Sequence, residues 1–184
     1  QDRTRYVSIQ LGIGGWKPFK ARFVHEKQYG DCKALSYYQQ ALLESIGITS
    51  HCALIWAGAE FRKVNPAISG PQFNPVILCV PTETDSIWLE CTSQRKPMGY
   101  MGTFTDNRYS LLVTPEGGKL VRTPSYGPEE NQQIYTGSLS LTENGMATGE
   151  MELRFKGQAY SCQGLNFMLY KDEKTQREWL LNRL

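Results

Sequence analysis

Apolar positions along this chain change period several times, and each change marks an element. Residues 5–11 alternate, with Val7, Ile9 and Leu11 on one side and Tyr6, Ser8 and Gln10 on the other, which predicts a short strand. Gly12, Gly14 and Gly15 then break it. Trp16-Lys17-Pro18 follows instead of a helix, so this Gly-x-Gly-Gly reads as a tight loop and not as a dinucleotide-binding fingerprint. A helical period comes next: Leu35, Tyr38, Leu42 and Ile46 predict a helix over 31–46, with Asp31 as its N-cap and Gly47 as its stop. Beyond Gly47 the pattern turns to strands at 51–57, 76–80 and 86–92. A hairpin over 111–114 and 119–122 turns at Glu116-Gly117-Gly118.

A linker-like Pro124-Ser125-Tyr126-Gly127-Pro128 separates a second region. There 134–141 and 146–155 alternate around Glu143-Asn144-Gly145, a hairpin, and a polar amphipathic helix runs over 172–184. The division is a core at 1–124 and an extension at 125–184. One hairpin and one helix cannot build a core alone. The extension is therefore expected either to pack on the first domain or to open a further β-rich domain.

Composition narrows the function more than it defines it. With 184 residues and 40% hydrophobic content, one ordinary domain with a small appendage fits. The 20 Lys and Arg are scattered among 18 Asp and Glu, without the basic stripe that nucleic-acid binding needs. Apolar runs such as 76–80 are far below the roughly 20 residues of a membrane span. The chain carries neither an initiator Met nor a signal peptide, and reads as a processed protein or an excised piece. Five cysteines (Cys32, Cys52, Cys79, Cys91 and Cys162) show no C-x-x-C spacing, which argues against zinc. Cys52, Cys79 and Cys91 fall in strands, where a thiol behaves as a small apolar group. A Cys79–Cys91 bridge between neighbouring strands is one candidate disulfide.

Cys32 stands apart, because the predicted helix begins on it. A helix N-terminus presents unpaired N–H groups and the positive end of the macrodipole, and both favour a thiolate. A nucleophilic thiolate also needs a base to take and return a proton. His25 and His51 are the two histidines. His25 lies in the loop before the helix, either near the thiol or solvent-exposed beside Glu26 and Lys27. His51 follows the far end of the helix, roughly 20 Å or more from Cys32 at ~1.5 Å per residue. Trp16 and Tyr29 either line a cleft beside Cys32 or pack around the helix start. Lys33 either favours the thiolate or is solvated. Residues 99–108, polar, aromatic and glycine-bearing, are either a loop over a site or a surface connection.

Three segments in order carry a family resemblance: Tyr29-Gly30-Asp31-Cys32-Lys33-Ala34-Leu35, then Phe73-Asn74-Pro75-Val76-Ile77, then Trp88-Leu89-Glu90-Cys91-Thr92. They resemble the Cys, His and Asp blocks of bacterial transglutaminase-like domains. The likeness extends over about 3–124, through Arg5-Tyr6-Val7-Ser8-Ile9, Gly15-Trp16-Lys17-Pro18 and Ala41-Leu42-Leu43-Glu44-Ser45-Ile46-Gly47-Ile48. It implies an α+β, papain-like core: a cysteine-bearing helix on an antiparallel sheet, followed by a β-hairpin and helix extension. It also implies Cys32 as nucleophile, Glu90 as the acid in place of the commoner Asp, and no metal or organic cofactor. Position 75, where the family keeps its histidine, holds Pro75, which cannot accept or donate a side-chain proton and lacks a backbone N–H. Losing a triad base commonly costs on the order of 10⁴ to 10⁶ in rate.

The resemblance therefore implies a disarmed domain that binds a peptide, a glycopeptide or a partner segment within a larger envelope protein, exported to the periplasm or cell envelope. Two other readings stay open. One is a working cysteine acyltransferase or peptidase using Cys32, with His25 or an unrecognised group as substitute base; the other is a purely structural module.

Overall fold

A computed structural model describes residues 3–9, 12–58, 62–94, 96–162 and 164–183. The chain is a mixed α+β protein that divides into two compact units, Gln1–Ser125 and Tyr126–Leu184.

In the first unit, β1 (Arg5–Tyr6) pairs in parallel with β2 (Tyr29–Gly30), which frames the lead-in to the main helix. The strand expected over 5–11 is this short because β2 offers it only two residues; Gln10 and Leu11 lie outside the described residues. The glycine loop winds into a 3-10 turn, Gly12–Gly15. Residues 21–27, expected as loop, form helix α1 (Ala21–Lys27). Its apolar signal is Val24, fully buried, with Phe23 partly buried beside it, and Arg22 and Glu26 form an ion pair one turn apart at 2.8 Å. That is too little periodicity to read in advance.

Helix α2 (Cys32–Glu44) starts where its cap dictates: Asp31 Oδ1 accepts from the Ala34 amide at 3.0 Å. It closes at Gly47, with φ +78°, where the Ile48 amide returns to the Leu43 carbonyl at 2.9 Å and the Gly47 amide to Glu44 at 3.0 Å. The predicted stripe fails in its second half. Leu35 is buried and Tyr38 packs on the core, but Leu42 is 41% and Ile46 70% exposed.

The sheet has the order β5-β4-β3-β6-β7, antiparallel throughout. Its strands are β3 (His51–Ile55), β4 (Val76–Pro81), β5 (Ser86–Leu89), β6 (Tyr109–Thr114) and β7 (Gly117–Arg122). A short helix α3 (Gly102–Thr105) interrupts the segment between β5 and β6. Cys52, Leu78 and Leu89 share the face that meets α1 and α2, around Val24, Ala34, Leu35 and Cys91. By alternation Ala53, Ile55, Ile77, Cys79, Trp88 and Leu112 occupy the opposite face, and all are buried.

This settles the candidate disulfide. Cys79 pairs across the ladder with His51 and Trp88, whereas Cys91 sits in the cluster under α2, so the two thiols serve different faces. All five cysteines are free.

In the second unit, β8 (Gln133–Leu141) and β9 (Ala147–Phe155) form a hairpin turning at Gly145, with φ +82°. Its register collects Tyr135, Leu139, Leu141, Met151, Leu153 and Phe155 on one face and Thr136, Ser138, Ser140, Glu150, Glu152 and Arg154 on the other. Three helices follow: α4 (Gln158–Cys162), α5 (Leu165–Met168) and α6 (Glu173–Leu181). Asp172 caps the last by accepting from the Thr175 amide at 3.0 Å. The first two were not foreseen. No helix of the described residues is long and apolar enough to cross a membrane.

Candidate functional site

The helix start, the head of β4 and the end of β5 meet at one end of the sheet. Ser36, one turn after Cys32, donates its hydroxyl to the Val76 carbonyl at 3.1 Å, and it also reaches the Cys91 thiol. Gln40 donates to the Ser50 carbonyl at 2.7 Å, beside Cys52, which pairs with Leu78. Moving from Ser36 to Gln40 therefore follows β4 from Val76 towards Leu78, so α2 and β4 run in the same direction. Stepping backwards from the Ser36–Val76 contact leads to Cys32 on the helix, ~6 Å away, and to Pro75 on the strand. Both belong to the same end.

Each expected site residue has a definite environment. Cys32 is the first residue of α2 and only 8% exposed. Pro75 is half-buried, and its carbonyl accepts from the Ile55 amide at 3.1 Å, so the β3–β4 ladder holds it. Asn74 before it is equally committed, its side chain bridging both backbone groups of Ala57 at 2.6 and 2.8 Å.

Glu90 follows Leu89, which faces Leu78, so it enters one strand over from Pro75. Its Oε1 accepts from the Thr92 amide at 2.9 Å and hydroxyl at 2.6 Å, and its Oε2 from Lys96 at 3.1 Å. Burial opposes its ionisation, but the Lys96 charge and the Thr92 bonds outweigh that and hold the carboxyl below its usual range. This local closure also ends β5 at Leu89, short of the expected Thr92.

The remaining candidates divide. Lys33 is ion-paired with Asp31. Tyr29 packs edge-on against Phe23, ring centres 5.6 Å apart. Trp16 is 78% exposed and lines a groove of about 750 Å³ that includes Lys33 but neither Cys32, Pro75, Glu90 nor Tyr29.

His25, expected in a loop, sits on α1 with its Nδ1 2.9 Å from the Tyr38 hydroxyl. Tyr38 lies six positions beyond Cys32, about 9 Å along the helix and ~120° around it. That contact holds the imidazole on a different side of α2 from the Ser36–Val76 seam. His51 opens β3 opposite Cys79, four ladder positions or ~13 Å from Pro75.

Residues 99–108 are fixed. Arg108 is buried and donates to the carbonyls of Trp56 at 3.0 Å, Gly58 at 2.7 Å and Thr103 at 3.3 Å. Thr105 and Thr123 add further bonds. Among the described residues no cluster of three or more His, Cys, Asp or Glu could hold a metal.

Sequence reasoning missed Ser36, Thr92, Lys96 and Arg108. Ser36 was legible as the position one turn after Cys32; Thr92 and Lys96 meet Glu90 through a local turn that gives no periodic signal, and Arg108 depends on contacts some fifty residues away. Compared with known proteins, the chain matches no family model, no curated protein and no solved structure.

Proposed function

We propose that the first unit is a transglutaminase-like domain, papain-like in plan, whose triad Pro75 has disarmed, and that it now binds a polypeptide instead of transforming one. What supports this is the Ser36–Val76 bond, from which one helical turn back leads to Cys32 and one residue back to Pro75, with the ionised Glu90 on the neighbouring strand. A nucleophile position and an acid are present, and the residue between them can move no proton. Glu90 spends its oxygens on Thr92 and Lys96, which leaves it bonded without an imidazole. By resemblance the domain belongs to an exported envelope protein and binds a peptide or glycopeptide. The reading of a working enzyme is less favoured, because its base would have to leave Tyr38 and cross to another side of α2.

Restoring the base tests this. In Pro75→His the rate of iodoacetamide alkylation at Cys32, read by mass spectrometry with Cys32→Ala as control, is expected to rise about a hundredfold or more. Cys52 and Cys91 serve as internal references, since burial pushes their thiols up to about 11 and about 12. A folded Pro75→His protein with unchanged Cys32 reactivity would sink the reading. So would wild-type alkylation that already depends on His25.

A further inference from the structure

The sheet is wider than the helix layer that covers it. α2 packs on β4 and β3 and leaves the β6 side of the same face open. Leu54 pairs with Leu111, so Leu54, Leu111 and Val113 share this face with Tyr109, and Val113 is 51% exposed at the end of the shelf. Gly118 opposes Val113, and Leu111 lies so close over it that a Cβ there would come within 3.0 Å, which keeps the shelf flat. The wall is a single stripe of α2: Lys33, Tyr37, Gln40 and Glu44, spaced four, three and four residues apart. With Cys52, Leu54, Val76 and Val113 as its floor, this wall makes the 750 Å³ groove noted above, whose surface is mainly apolar.

We propose that this groove seats one amphipathic α-helix of a partner polypeptide, lying antiparallel to α2 with a basic N-terminal end beside Glu44. The assignment rests on the polypeptide-binding half of the function proposed above and on no property of Cys32. An extended peptide cannot add to the sheet here, because β6 is already paired on both sides, by β3 and β7. A helix needs no such edge and can lie beside α2 at the usual interaxial distance of about 8–10 Å. The stripe from Lys33 to Glu44 is about 16 Å long, enough for about three turns.

Charge sets the direction. At the Lys33 end, Asp31 neutralises the lysine. At the other end, the Glu44 carboxylate has no hydrogen-bond or ion-pair partner among the described residues and adds to the negative end of the α2 dipole. A neighbouring helix is therefore favoured with its N-terminus, and cations, beside Glu44.

The test uses two stapled 14-residue helical peptides of identical composition, each with a leucine stripe, read by fluorescence anisotropy against the full chain. One carries three lysines in its first turn, the other in its last. The first is expected to bind at least tenfold tighter, and Val113→Lys, checked for folding by circular dichroism, is expected to weaken it at least tenfold. Glu44→Gln should narrow the difference between the peptides. Equal binding of the two peptides, or binding indifferent to Val113→Lys, overturns the assignment. So does sedimentation showing a wild-type dimer that Val113→Lys splits, because the groove is then filled by a second copy. Pro75→His read in parallel separates the two proposals. Awakened Cys32 with no peptide binding removes the groove and keeps the disarmed domain; peptide binding with a silent Cys32 does the reverse.

Discussion

The two ends of α2 come from one helix with one amphipathic period, yet they behave as different materials. At the first turns Asp31, Cys32, Ala34, Leu35 and Ser36 are all buried, the cap is filled, and Ser36 is bonded to β4. In the last turns Leu42 and then Ile46 face solvent, and Glu44 has no partner among the described residues. The sequence pattern is as apolar in one half as in the other. What differs is the layer beneath: the early turns lie over the β4–β3 centre of the sheet, and the later ones run out beside the loop at Ser50. Burial follows the extent of the sheet, and the pattern only offers candidates. The contrast sets a closed, fully bonded end against an open flank.

Paired substitutions put numbers on the contrast. Leu35→Ala should lower the unfolding free energy by about 3 kcal/mol, since it empties a filled core position, while Leu42→Ala should cost under about 1 kcal/mol. Similar losses in chemical denaturation would break the comparison at its root. The caps give a second pair. Asp31→Ala removes an N-cap bond and the Lys33 partner and is expected to cost about 1–2 kcal/mol. Glu44→Ala removes a carboxylate from the unfavourable end of the helix dipole, so stability should stay within about 0.5 kcal/mol, with any change upward. A large loss from Glu44→Ala would mean that this end is structurally committed after all.

The same contrast explains what could be read in advance. The start of α2 was legible because capping is local: Asp31, the helix beginning on Cys32 and the stop at Gly47 are all written within a few residues. The strands and their order along the chain were legible from alternation and turn residues. α1 was not, because one buried Val24 gives no period. The exposure of Leu42 and Ile46 was not, because it depends on where a sheet paired from residues 51–122 stops. The candidate triad positions were readable as motifs, but the company they keep was not. Glu90 is held by Lys96 six residues later, and His25 by Tyr38 thirteen residues later, contacts that no spacing rule announces.

The last test concerns Glu90 itself and reads a pH dependence. Its carboxyl titrates below its usual value in the fold, so the folded state favours the ionised form. A group depressed in this way adds stability that is fully present above the unfolded pKa, about 4.3, and is lost as pH falls through the lower folded value. Wild type should therefore lose stability below about pH 4 by a component that Glu90→Gln lacks. The amide keeps an acceptor for Thr92 but cannot pair with Lys96, so at pH 7 the variant should be weaker by about 1 kcal/mol. The gap between the two proteins should narrow as pH falls below the unfolded value of about 4.3. Denaturation midpoints at pH 7, 5, 4 and 3 measure this directly. A constant gap across that range would mean that the charge on Glu90 contributes nothing to the closed end. The acid would then be held there by shape alone, and its tie to Lys96 would lend no support to the proposed disarmed triad.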